Sequence, residues 1–207
     1  MTEDSPKCGR AGLSSDVSEI KVAFRIPPER PAPNFPASWN VAPTDPVPVV
    51  RYDAKEHQRS LDLLRCGLIP HWANEIKVGS NINAKAEGIE TRRAFRDAFE
   101  RRRCLVPADY FYEWKQTARA SSLMPLHSPI AASWRWRACG KTRKSSAEEW
   151  VRSFAIITTE PNELFAQLHN RMPVVLSPEA WPASAGTTNG QISLQPVGSV
   201  GYGLRKL

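Results

Sequence analysis

The apolar residues of this chain come in runs of strand length, and that limits the folds open to it. Residues 47–52, 61–69, 103–106, 109–114, 130–136 and 154–159 each read as a β-strand bounded by charged or proline-containing turns. Pro107 breaks the fourth run from the third, and the charged turn 53–59 separates the first two. Helical spacing appears only in short stretches. Residues 14–24 carry Val17, Ile20 and Phe24 behind the capping residues Ser14, Ser15 and Asp16, and residues 91–103 carry Phe95 and Phe99 four apart. Residues 161–168 read as one more short helix. Five prolines between Pro27 and Pro36 make an extended surface loop, while 115–128 and 141–149 are polar or charged excursions. Strands outnumber helices and are not regularly interleaved with them. The expected fold is α+β, mainly antiparallel, with a barrel-like sheet flanked by short helices in a single domain, a size that 207 residues suit.

Lys and Arg number 28 against 21 Asp and Glu, a formal charge of +7 that favours a polyanionic partner. Six of the arginines, Arg92, Arg93, Arg96, Arg101, Arg102 and Arg103, crowd one expected helix and its exit, either as a solvated face or as a phosphate-binding surface. No apolar run approaches a membrane span, and residues 1–10 hold no signal-peptide core, so a cytoplasmic protein is expected, nucleoid-associated in a bacterium. Cys8, Cys66, Cys104 and Cys139 stand singly, without a Cys-x-x-Cys pair or zinc-ligand spacing, and the last three read as small buried thiols. Neither a metal nor a cofactor is expected.

Three residues stand out chemically. Glu113 lies in Asp109-Tyr110-Phe111-Tyr112-Glu113-Trp114, a strand with aromatics on both faces. A carboxylate desolvated there acquires a raised pKa suited to proton transfer; its structural alternative is a buried glutamate held by Arg103 or Arg171. His169 precedes Asn170 and Arg171 just before an apolar run, and is either a proton shuttle, an anion contact or an ordinary loop histidine. Cys8 sits in a polar stretch between Lys7 and Gly9-Arg10, where nearby cations favour the thiolate. Trp72, after Ile69-Pro70-His71, is placed to stack a base.

Six segments then fall into one order. They are Cys8-Gly9-Arg10, Trp39-Asn40-Val41-Ala42-Pro43-Thr44, Gly67-Leu68-Ile69-Pro70-His71-Trp72, Asn83-Ala84-Lys85-Ala86-Glu87, the run from Arg103 to Trp114, and His169-Asn170-Arg171-Met172-Pro173-Val174. Together they resemble the SOS-response-associated peptidase family, whose members shield abasic sites in single-stranded DNA. The resemblance implies a domain over 8–181, preceded by a leader at 1–7 that is removed and followed by a divergent tail at 182–207. It implies that Cys8 captures the ring-opened sugar as a thiazolidine, that Asn83 orients the sugar, and that Glu113 and His169 handle protons. It further implies that Arg10, Asn40, Trp72, Lys85 and Arg171 contact DNA, and that the partner of a monomeric protein is single-stranded DNA carrying an abasic site.

The chain departs from the family pattern at Lys85, where an arginine is usual, at Cys66, which replaces a tryptophan, and at Tyr110, which replaces a small residue. Two other classes of function fit the same residues. A self-processing cysteine peptidase would use Cys8 as nucleophile, His169 as base and Asn83 or Glu113 as orienter. A non-enzymatic single-stranded DNA-binding module would need only Trp72 and the arginines.

Overall fold

The structure, a computed structural model, describes residues 9–73, 81–116, 121–127, 134–144, 150–176 and 203–204. Twelve strands lie among them: β1 (Arg10–Leu13), β2 (Ser38–Val41), β3 (Pro46–Asp53), β4 (Gln58–Cys66), β5 (Asn83–Lys85), β6 (Arg103–Ala108), β7 (Tyr110–Gln116), β8 (Ser121–His127), β9 (Trp134–Lys144), β10 (Trp150–Thr159), β11 (Met172–Pro173) and β12 (Gly203–Leu204). Helices are short: α1 (Val17–Ala23), α2 (Arg96–Arg101) and one 3-10 turn at Phe165–Gln167. The fold is therefore α+β and mainly β.

One sheet runs β12-β8-β7-β1-β2, antiparallel throughout. The larger runs β11-β10-β4-β3-β6-β9, and because β9 pairs with β10 as well as with β6, it curls round on itself. Two of its pairings are parallel, β10 with β4 and β10 with β5, within an otherwise antiparallel arrangement. Alternation of side chains along β10 gives each face its own core. Ala155 and Ile157 join Ile20, Phe24, Leu61, Ala84, Ile89 and Leu105 on one side; Phe154 and Ile156 join Val49, Leu64, Val106, Phe111 and Phe165 on the other.

α1 forms where the capping signal stood. The Asp16 carboxylate accepts from the Glu19 amide, Glu19 returns a bond to the Asp16 amide, and Ile20 is buried beneath. The 91–103 helix contracts to Arg96–Arg101: Phe95 at its start offers no side-chain cap, so the preceding residues remain in turns.

Other expectations are corrected by pairing partners that lie far away in sequence. Pro107 does not break a strand; β6 continues through it to Ala108, because β3 pairs no further along than Leu105 and a proline is tolerated where a strand is paired on one side only. The polar span 115–128 contains β8, which hydrogen-bonds along the whole of β7. The charged excursion begins later than expected, since Lys141 to Lys144 belong to the β9–β10 ladder, while 145–149 lie outside the described residues. The expected 161–168 helix is one 3-10 turn, with Asn162 accepting from the Phe165 amide. The strand at 61–69 starts earlier and ends at Cys66, where Gly67 adopts φ 108°.

β1 is held between β2 and β7, and the residues just after it are fixed by one carboxylate. Asp109 Oδ2 accepts from the amides of Ser14 and Ser15 at 2.6 and 2.8 Å and from the Ser14 hydroxyl at 2.9 Å, while Oδ1 takes the Ser15 hydroxyl at 2.8 Å. The Asp109 amide in turn donates to Gly12 O. Gly12 has no room for a side chain, because the Tyr110 ring occupies the position a Cβ would take. Asp109→Ala is expected to lower unfolding stability by about 2 kcal/mol, as four charge-assisted bonds to exposed and partly buried donors are lost. Urea denaturation followed by tryptophan fluorescence measures this, and an unchanged midpoint would show that the residues after β1 are held by other means.

Candidate nucleic-acid interface

The 3-residue strand β5 builds the first half of the site. Its register on β10 sets Asn83 opposite Ile156, Ala84 opposite Ile157 and Lys85 opposite Thr158. Ala84 is fully buried in the core, so alternation turns Asn83 and Lys85 the other way. Both line a solvent-open cleft of about 670 Å³ with Asn81, Ile82, Arg92, Thr158, His169 and Arg171.

The second half is the 169–171 segment, pinned at both ends by buried anchors. Phe165 stacks on Phe111 at 5.4 Å between centroids, and Met172 pairs with Thr159 on the edge of β10. Between them Arg171 closes a fork on Glu87, Nη1 to Oε1 at 2.9 Å and Nη2 to Oε2 at 2.7 Å, and Nη2 also donates to Thr158 O at 2.6 Å. The Arg171 amide and the Arg171 carbonyl oxygen lie 3.0 and 3.1 Å from His169 Nδ1, which sets the ring against the Arg171 backbone.

Four residues expected from sequence, Asn83, Lys85, His169 and Arg171, thus share one cleft. Arg92 and Thr158 belong with them and were not singled out as site residues. Arg92 was visible only as one of six clustered arginines, and Thr158 only as part of a strand. Lys85, Arg92 and Arg171 give the cleft three cations, suited to an anion.

The remaining expected residues are not among those that line this cleft. Arg10 on β1 donates from Nη1 to Asn40 Oδ1 on β2 at 2.7 Å. Trp72 is 36% exposed, with the Arg93 guanidinium 4.4 Å over its ring and the His71 ring edge-on at 4.7 Å. Glu113 is buried, 1% exposed, on the same side of β7 as Phe111, the residue that stacks on Phe165 four positions before His169. Cys8 lies outside the described residues; the description starts at its neighbour Gly9.

The residues that depart from the family pattern have structural partners. Tyr110 stacks on Trp39 at 5.9 Å, with burial and the neighbouring Tyr112 pushing its hydroxyl up to about 12. Tyr112 donates its hydroxyl to Trp39 O. Cys66 is buried and lines an apolar cavity with Ala11, Val41, Val47, Phe154 and Ile156, and burial raises its thiol to about 11. Cys104 is buried too, whereas the Cys139 side chain lies outside the description.

The fold agrees with what comparison shows. The family model described as SOS response associated peptidase (SRAP) matches residues 7–189. The chain belongs to the SRAP family. Among its relatives are the abasic site processing proteins YoqW and YoaM of Bacillus subtilis (strain 168). YoqW is 36% identical over 83% of this chain and 77% of its own length, and YoaM 37% identical over 82% and 75%. A crystal structure of a protein from Bordetella bronchiseptica, 20% identical, superposes with a TM-score of 0.82 over 97% of this chain and all of that one, which supports the fold. No helix among the described residues is long and apolar enough to cross a membrane.

The Glu87–Arg171 fork carries a pH prediction. The hydrogen bond from Arg171 holds the Glu87 carboxyl below its usual range. Its contribution is therefore present above the ordinary glutamate value of about 4.3 and is lost as pH falls through the depressed folded value. Because the carboxylate is half exposed, Glu87→Gln is expected to cost less than about 1 kcal/mol at neutral pH. Urea titrations should show that difference shrinking as pH falls below the ordinary glutamate value. A difference that persists or grows in acid would mean that Glu87 is not held in its charged form by Arg171.

Proposed function

We propose that this protein captures abasic sites in single-stranded DNA covalently, through a thiazolidine formed by Cys8 once residues 1–7 have been removed. The observation that carries the reading is the register of β1 on β7. Arg10 lies opposite Tyr112 and Gly12 opposite Tyr110, so Gly9 and Glu113 each follow the Arg10–Tyr112 pair by one residue on their own segments. Cys8 is one peptide unit further on, about 3.8 Å from Gly9 between α-carbons. Glu113 is a buried carboxylate on β7, the strand that pairs with β1, and a desolvated carboxylate is a group amine chemistry can use. The names of the relatives, abasic site processing proteins, point to the same substrate.

An abasic deoxyribose in its open form presents an aldehyde carbon. The α-amine of Cys8, with an ordinary pKa of about 8, is partly unprotonated at neutral pH and adds to it. Glu113 accepts the proton released by the nitrogen and returns one to the departing hydroxyl, so an imine forms and one water leaves. The thiol then adds across the imine, its sulfur bonding to carbon and its proton passing to nitrogen, and a five-membered ring closes. Proximity favours this second step, since both partners are on one residue. His169 handles protons at the sugar oxygens, Asn83 orients the sugar, and Lys85, Arg92 and Arg171 take the flanking phosphates. Arg10, Asn40 and Trp72 extend the contact along the strand. Lys85 supplies charge without the bidentate fork an arginine would add.

The leader is decisive for this chemistry. While Lys7 precedes Cys8, its nitrogen is an amide whose lone pair is delocalised into the carbonyl, and only a reversible hemithioacetal is open to the thiol. Full-length protein, protein beginning at Cys8, and a Cys8→Ser variant of the latter are compared on single-stranded DNA with one abasic site, resolved on a denaturing gel. Only the form beginning at Cys8 is expected to remain joined to DNA. Glu113→Gln in that form should slow the reaction about a hundredfold while leaving DNA binding intact. A heat-stable adduct from protein whose mass shows residues 1–7 intact would overturn the mechanism, and a native rate from Glu113→Gln would reduce Glu113 to a structural role.

A further inference from the structure

Three aromatic rings and one cation share a face of the five-stranded sheet, and one of the rings is open to solvent. That ring is Trp39, 65% exposed on the edge strand β2. A lone exposed tryptophan is ordinary, but this one is backed and flanked. It stacks on Tyr110 at 5.9 Å between centroids and 18° between planes, and Tyr110 meets Tyr112 edge-on at 5.5 Å. The Tyr112 hydroxyl donates to Trp39 O at 2.9 Å, which ties down the backbone that carries the indole. Directly paired residues of antiparallel strands project to the same side, so Arg10, opposite Tyr112, shares this face with both tyrosines. Arg10 Nη1 donates to Asn40 Oδ1 at 2.7 Å, and this neutral partner orients the guanidinium without cancelling its charge.

We propose that Trp39 stacks an unpaired base flanking the abasic position, with Arg10 at an adjoining phosphate. The inference rests on the abasic-site reading for the identity of the ligand as single-stranded DNA. An abasic position has no base of its own to stack, so affinity around it comes from phosphates and from neighbouring bases. A single strand presents both, and this face answers both, with a flat ring beside a guanidinium. The indole is already supported by Tyr110 and its backbone by Tyr112, so little freedom is lost when a base settles on it. Trp72 differs in this respect, since the Arg93 guanidinium already lies 4.4 Å over its ring. Arg10 is two residues from Cys8, at most about 7 Å between α-carbons. At about 3.4 Å per nucleotide, a base that reaches Trp39 belongs to a nucleotide within about three of the captured sugar. Stacking reads no base edge, so any of the four bases serves.

The test uses the full-length protein with Trp39→Ala and Trp39→Tyr. The first probe is a single strand of about fifteen nucleotides with a central tetrahydrofuran in place of the abasic sugar. Tetrahydrofuran has no aldehyde, so only non-covalent binding is measured. Trp39→Ala is expected to weaken binding about tenfold or more, the scale of one base–aromatic stack, and Trp39→Tyr by less than about threefold. In the second probe about three nucleotides on each side of the centre are tetrahydrofuran too, which removes the bases and keeps every phosphate. There Trp39→Ala should bind as tightly as unsubstituted protein. Native affinity of Trp39→Ala for the first probe overturns the proposal. So does an equal loss on both probes, which would assign Trp39 to the backbone path or to the fold, and so does Trp39→Tyr as weak as Trp39→Ala. Unchanged DNA binding with reduced self-association in sedimentation would instead assign the face to contacts between copies of the chain. Failure of the abasic-site reading would appear separately, as no covalent adduct from protein beginning at Cys8 while the Trp39→Ala defect on the unreactive strand remains.

Discussion

Strand β10 is the constraint on which the rest of the structure depends. From Phe154 to Thr159 every residue is buried, so no backbone group on that stretch can be left to water, and each edge must find a partner. It finds four: β9 along one edge, β4 and then β5 on the parallel side, and β11 at its end. The handover from β4 to β5 is made where Gly67 turns away with its amide donating to Phe154 O. That handover is what brings Asn83 and Lys85 beside Thr158. The cleft is thus a consequence of closing β10's hydrogen bonds rather than a feature added to a finished sheet.

The same economy holds for the segment 169–171. Residues 169–171 have almost no regular structure of their own, yet Phe165 and Met172 are both fully buried on either side of them. Glu87, two residues beyond β5, then fixes Arg171, and the Arg171 backbone holds the His169 ring. One ion pair consequently couples the two halves of the cleft. In a polar, half-exposed setting its worth lies in orientation more than in stability.

Much of this was legible in the sequence where local signals agreed with the final pairing. The capping box at Asp16, the strands β3, β4 and β10, and the burial of Cys66 and Cys104 follow from periodicity and composition. The site residues Asn83, Lys85, His169 and Arg171 were assembled by family resemblance, and the cleft holds them together. What stayed hidden depended on distant partners. β8 lies within a span that reads as polar and turn-rich, and is defined by its pairing with β7; β1, β2, β5 and β11 are four residues or fewer and carry no period to detect. Pro107 reads as a breaker unless it is known that β3 stops at Leu105.

The central claim is that one residue, Cys8, supplies both atoms that hold the sugar. Mass spectrometry of the protease-digested adduct with an abasic oligonucleotide tests it most directly, without borohydride trapping. The account predicts a modified peptide that begins at Cys8 and carries the sugar with the loss of one water, its thiol no longer open to alkylation. An adduct located on a lysine such as Lys85, or one that retains a free Cys8 thiol and survives only after reduction, would contradict it.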